Sequence, residues 1–192
     1  MSPSVLFQAR SPFLITQGRS LPPPKSGFLP TTTELVGEWH MAATSSAFWK
    51  DRKHSVSITY QSSTKSGPAG AALDDVASYY AIDSSTQHST KGVSTPSTSC
   101  SGVYDWHGTG FLRLVSTRWE IVGYGSLEEM GAVVLVTLAQ KTMFSPQSLS
   151  IYSKEKIEKP NEIVLIISDS LKSFGIAALS QEVEKLELME TQ

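Results

Sequence analysis

The residues of this chain best suited to proton chemistry lie in short runs of alternating character. In Arg118-Trp119-Glu120-Ile121-Val122-Gly123-Tyr124, strand periodicity puts Arg118, Glu120, Val122 and Tyr124 on one face and Trp119, Ile121 and Gly123 on the other. If the polar set faces an apolar interior, low dielectric favours the protonated carboxyl of Glu120, which then donates or removes a proton with Tyr124 as hydrogen-bond partner. If it faces outward, Arg118 and Glu120 make cross-strand ion pairs. Arg113, flanked by Phe111 and Val115 at two-residue spacing, is an isolated charge on an apolar face. Inward it needs a carboxylate or a polarised ligand oxygen; outward it snorkels. Asp105 and His107 share a face and form an acid and base pair at a rim, or stand solvated beside the Gly108-Thr109-Gly110 turn. Glu120, Tyr124, Arg113 and His107 are the candidate catalytic residues.

Residues suited to holding a ligand are aromatic. Four Trp and six Tyr occur, and Trp39 with Met41, Val56 with Tyr60, Tyr80 with Ile82, and Tyr104 with Trp106 each share a strand face. Met41, Tyr60, Tyr80, Trp106 and Trp119 are the candidate substrate-binding residues; the alternative is that the aromatics fill a core. Metal and cofactor signals are missing. No His, Cys and Asp set has zinc or non-haem iron spacing. Gly123-Tyr124-Gly125-Ser126 lacks the Gly-x-Ser-x-Gly order of a nucleophile elbow, and no Gly-rich phosphate loop opens a helix. Neither metal nor cofactor is expected.

The elements that must carry these residues are mostly strands. From Glu34 onward, runs rich in Val, Ile, Thr, Tyr and Trp are separated by Gly, Ser, Pro and Asp. Strands are predicted over Leu35 to Ser45, His54 to Ser62, Val76 to Ile82, Gly102 to His107, Phe111 to Ser116, Arg118 to Tyr124, Ala132 to Gln140 and Ser148 to Tyr152. Asp83 to Thr98 reads as a mobile polar loop, and Gly108-Thr109-Gly110 as a turn setting Trp106 and Leu112 on paired strands. Past Lys154 the period becomes helical, with Ile163, Ile166, Ile167, Leu171 and Phe174 on one face and a stop at Gly175. A second helix is predicted over Ile176 to Leu188. Many antiparallel strands followed by helices point to a small mainly β barrel with helices outside it.

Composition sets the outer limits. A chain of 192 residues, 40% hydrophobic and net −2, buries a sizeable core as one domain without disulfides. It offers no basic field for nucleic acid. No run approaches the roughly 18 apolar residues of a membrane span, so membrane insertion is not expected. A lone Cys100 suits a reducing compartment, and a cytoplasmic location is the expectation. Residues 1–33 carry Arg10, Arg19 and Lys25, no acid, and Leu21-Pro22-Pro23-Pro24. They read as a disordered Pro/Ser-rich tail before a barrel domain spanning 34–192, with helices within 160–188; a transit peptide is the other reading.

Gly37-Glu38-Trp39, preceded by Leu35 and opening the first strand, resembles the Gly-x-Trp of lipocalins, members of the calycin superfamily. There glycine bends the chain tightly at the barrel base and the indole plugs the closed end. The Thr-Asp-Tyr element of that family does not follow Tyr124, and no basic residue stands out as a partner for Trp39. A wider likeness joins Asp105-Trp106-His107-Gly108, Arg118-Trp119-Glu120 and Gly123-Tyr124-Gly125, with Leu73-Asp74-Asp75 upstream. It is to uncharacterised fungal lipocalin-like proteins. The resemblance implies an eight-stranded barrel holding a small hydrophobic metabolite. Two functions follow as expectations: a cofactor-independent cyclase, isomerase or dehydratase of natural-product biosynthesis, or a non-catalytic carrier. Oligomeric state is left open.

Overall fold

The computed structural model describes residues 7–12, 14, 29–143, 145–157 and 160–190. The barrel begins at a capped turn. The Thr31 hydroxyl accepts the Glu34 N–H at 3.3 Å, and the Glu34 carboxylate accepts the Thr31 N–H at 2.7 Å, closing a capping box on helix α1 (Thr32–Leu35). Gly37 follows at φ 116°, a conformation a side chain would strain, and opens strand β2 (Gly37–Thr44).

Seven more strands complete the wall: β3 (Lys53–Gly67), β4 (Gly70–Ala81), β5 (Gln87–Pro96), β6 (Val103–Gly108), β7 (Ser116–Leu127), β8 (Ala132–Ala139) and β9 (Ser148–Ser153). Each pairs antiparallel with the next. β9 returns to β2, with His40 opposite Ser153 and Thr44 opposite Ser150, and closes the barrel. The connections therefore alternate between two ends. Those after β2, β4, β6 and β8 ring the open end, whereas those after β3, β5 and β7 lie with Trp39 at the closed end. Helix α2 (Ala47–Lys50) forms part of the first open-end connection.

The wall carries a core on each side. Leu35, Trp39, Met41, Tyr60, Leu73, Trp119, Ile121 and Leu135 pack inside the barrel. Outside, helix α3 (Pro160–Lys172) buries Ile163, Ile167 and Leu171, and helix α4 (Ala177–Glu184) buries Leu179 and Val183. Both press on Val134, Val136, Leu138, Leu149 and Ile151 of β8 and β9. Ile166 and Phe174, expected on the buried face of the first helix, are exposed. The second helix ends at Glu184, and a short strand, Glu187–Leu188, pairs with β2 instead of continuing it.

Three further expectations are corrected. The segment expected as a mobile loop from Asp83 to Thr98 contains β5, because β4 and β6 on either side satisfy its backbone groups, whatever its weak apolar content. Phe111 to Ser116 is not a strand: Gly110 to Leu112 form a 3₁₀ turn, and Trp106 lies opposite Thr117 rather than Leu112. The third concerns the tail. Residues 1–6, 13 and 15–28 lie outside the described set, but strand β1 (Gln8–Ala9) pairs with β7 where β6 has left it. There Phe7 N–H donates to Ser126 O at 3.0 Å and Arg10 N–H to Val122 O at 2.8 Å. The uncovered edge of β7 is what orders these residues.

Candidate functional site

The barrel interior is organised in tiers. At the closed end Trp39 is fully buried, its Nε1 donating to Leu35 O at 2.8 Å. Lys154 Nζ lies 4.4 Å from the Trp39 ring centre and donates to Val36 O at 2.6 Å. Burial lowers the Lys154 pKa, with Glu155 opposing.

In the middle tier Tyr60, Trp119 and Tyr104 stack, with Trp119 5.8 Å from Tyr60 and 4.4 Å from Tyr104 between ring centres. Beside them lies a carboxylate. Asp75 of β4 is 4% exposed, and its Oδ2 accepts from Ser94 Oγ and its Oδ1 from Trp106 Nε1, both at 2.8 Å. Ser94 Oγ in turn accepts from Trp119 Nε1 at 3.0 Å. Burial raises the Asp75 pKa against the lowering effect of those two bonds, and neighbouring Asp74 adds to the rise. Burial also pushes Tyr104 and Tyr152 up to about 12, and Tyr60 well above its ordinary value. These phenols therefore stay protonated across the biological pH range. Among the described strand residues, Asp75 is the inward carboxylate.

Towards the open end β4 and β5 turn small side chains inward: Ala77, Thr90 and Gly92. A Cβ at Gly92 would fall 2.2 Å from Trp106 Nε1, so glycine is what lets that indole lie flat on β5 and reach Asp75. Above these small residues Tyr79 stacks on His88 at 5.5 Å and meets Trp49 edge-on at 5.8 Å; Phe48 meets Trp49 at 4.6 Å. Trp106, Tyr79 and Trp49 are each half-buried. Half-buried aromatic rings thus stand towards the open end from the Asp75, Ser94 and Trp106 network.

No protein-family model matches the sequence, and a search of curated proteins finds no match. Solved structures do match. Insecticyanin from the tobacco hornworm Manduca sexta superposes with a TM-score of 0.53 at 12% identity, over 98% of this chain and 90% of that one. Lobster apocrustacyanin A1 gives a TM-score of 0.53 at 10% identity, over 82% of this chain and 78% of that one. This is a lipocalin-type barrel fold. At such identities the likeness is one of architecture.

The lipocalin-type barrel sorts the residues expected from sequence. Met41, Tyr60, Trp106 and Trp119 point inside. Tyr80 does not: Leu73, Asp75 and Tyr79 take the inward phase of β4, and Tyr80 stacks on His54 at 5.6 Å on the outer face. The four expected catalytic residues are not brought together. Glu120 is buried but outside, beneath the N-terminal segment, where it accepts the Leu14 N–H at 2.9 Å. Tyr124 is inside, because a bulge between Ile121 and Gly123 inserts a residue and reverses the alternation. His107 is exposed on the outer face and Arg113 on the open-end connection after β6. Arg118 makes the cross-strand ion pair expected of an outward face, with Asp105 of β6 at 2.8 Å.

Three residues escaped sequence reasoning. Asp75 sits in an Asp74-Asp75 pair that looks like surface; only its register opposite Tyr60 shows that it faces in. Ser94 lies on β5, a segment whose polar composition reads as a loop. Lys154 was findable as the basic residue just after the last barrel strand. Among the described residues, no three His, Cys, Asp or Glu side chains gather as a metal site.

Proposed function

We propose that the barrel binds a small, flat, largely apolar molecule between Trp106 and the open end. One observation carries this reading: the small side chains of Ala77 and Thr90 lie between half-buried aromatic rings, above Trp106 and Ser94, which hold a buried carboxylate. Rings stack on such walls, and a few fixed polar groups orient what enters. The single Cys100 supports a reducing, cytoplasmic setting.

The test is a fluorescence titration with N-phenyl-1-naphthylamine, a neutral aromatic probe. Wild type gives saturable binding with quenching of tryptophan emission. Ala77→Leu, which adds bulk between the rings, and Tyr79→Ala, which removes a wall, each weaken it about tenfold, equivalent to about 1.4 kcal/mol. Non-saturable binding by wild type, or unaltered affinity in a folded Ala77→Leu, refutes the reading.

A second reading, a cofactor-independent cyclase, isomerase or dehydratase, is favoured by the buried Asp75 carboxyl with its raised pKa. In that case Asp75 moves the proton and the stacked aromatics hold the substrate in a reactive shape. Asp75→Asn then keeps probe affinity and abolishes turnover of whatever metabolite native mass spectrometry finds on the protein from its host. Unchanged turnover leaves the carrier reading.

A further inference from the structure

We propose that the open end of the barrel docks on an anionic lipid surface. Each of the four open-end connections presents a large apolar side chain to solvent: Phe48 after β2, Ile82 after β4, Phe111 and Leu114 after β6, and Met143 after β8. Phe111 is 108% exposed, Met143 91% and Leu114 90%. Side chains this bare are wedges, not parts of a packed groove.

Charge selects the partner. The connections at residues 45–52, 82–86, 109–115 and 140–147 carry Lys50, Arg52, Arg113 and Lys141 against Asp51 and Asp83, and the short strand paired with the open end of β2 adds Glu187 beside Lys50. Lys50 is matched by Glu187 and Arg52 by Asp83, whereas Arg113 and Lys141 carry no ion pair among the described residues. Those two cations flank the most exposed apolar tips. Lys53, at the start of β3, adds its ammonium 4.3 Å above the Phe48 ring. At the closed end, the connections after β3 and β5 are uncharged and the one after β7 holds Glu128-Glu129. The unpaired cations and the barest apolar tips thus share the open end. Basic residues draw such an end to acidic headgroups, and apolar side chains then enter the interface.

The relief of the rim separates lipid from protein as occupant. Its apolar tips stand on separate connections around a mouth. A fluid interface moulds itself to such tips, whereas a folded partner needs a complementary surface at native packing density. The contact is peripheral: no helix among the described residues is long and apolar enough to cross a membrane. Docked this way, the mouth opens towards acyl chains.

The test sediments the full chain with sucrose-loaded vesicles of phosphatidylcholine, alone or with about one quarter phosphatidylserine, in about 0.1 M salt. Wild type is expected to bind the phosphatidylserine vesicles about tenfold more tightly than the neutral ones. Joint replacement of Phe111, Leu114 and Met143 by Ser lowers binding to both by about tenfold or more. Arg113→Glu with Lys141→Glu reduces binding to the neutral-vesicle level. Leu165→Ser, an exposed apolar residue of α3, changes nothing. Ala77→Leu also leaves vesicle binding intact, which separates this proposal from the ligand site. It is overturned if wild type sediments with neither vesicle, or if the Ser variant binds like wild type. A wild-type dimer in light scattering that the Ser variant dissolves also overturns it, since a second copy would then occupy the rim. The replaced side chains are solvent-exposed, so an unchanged melting curve confirms that each variant is folded.

Discussion

Asp75 shows how much one side chain can be shaped by its surroundings. In an unfolded chain it titrates near 3.9; in the barrel, burial raises that value although Trp106 and Ser94 donate to it. Between the two pKa values the folded state binds more protons than the unfolded one. Stability therefore falls as pH rises through that window and stays at its lower level above it. Below about pH 4 both states are protonated and the effect vanishes. Asp75→Asn removes the titration while keeping a similar shape. It is expected to melt a few degrees higher at pH 7, on the scale where about 1 kcal/mol moves a domain of this size by roughly 2–4 °C. Melts from pH 4 to pH 8 check this. A difference from wild type that does not grow with pH would show that Asp75 carries no burial cost. Residue type alone marked Trp39, Met41, Tyr60, Trp106 and Trp119 as inward, because large apolar groups at two-residue spacing have few other places to go. It misjudged Tyr80 and wrongly put Tyr124 on the same face as Glu120, because these phases depend on a register or a bulge that neighbouring strands impose.

Among the elements, strand β1 changes the picture most. Arg10 is buried, and its Nε donates to Ile121 O at 2.6 Å while a terminal nitrogen donates to Ser101 O at 2.9 Å. The side chain thus ties β7 to the closed-end connection after β5. Arg10→Ala strips both carbonyls of their donor and is expected to lower stability by about 1–3 kcal/mol in urea unfolding. An unfolding midpoint equal to wild type would mean that water replaces both bonds at no cost. Composition could not reveal this role. The segment is poor in apolar residues and rich in Ser and Pro, and only the gap left along β7 makes it worth ordering. The same holds for β5, whose Ser and Thr residues form a strand because two neighbours need partners.

On the scale of the whole molecule, one wall of the barrel separates two cores. β8 and β9 alternate between them: Leu135 and Tyr152 face inward, while Val134, Val136, Leu149 and Ile151 face the helices. A chain ended after Lys154 keeps every barrel strand and bares that outer row. It is expected to self-associate and lose its single sharp thermal transition, read by light scattering and circular dichroism. A monomeric barrel with an intact melt would show that the helices are dispensable. By itself the sequence determined the count and period of most strands, the switch to helices after Lys154, the Gly37-Trp39 barrel base and the aromatic stock of the interior. These follow from local steric preference and from where apolar groups recur along the chain. Only the tertiary structure decided which carboxylate lies inside. Bulges shift the alternation, and the segments that cover Glu120 or pair with Asp75's strand lie many residues away, so burial at those positions is set by contacts that no local window contains.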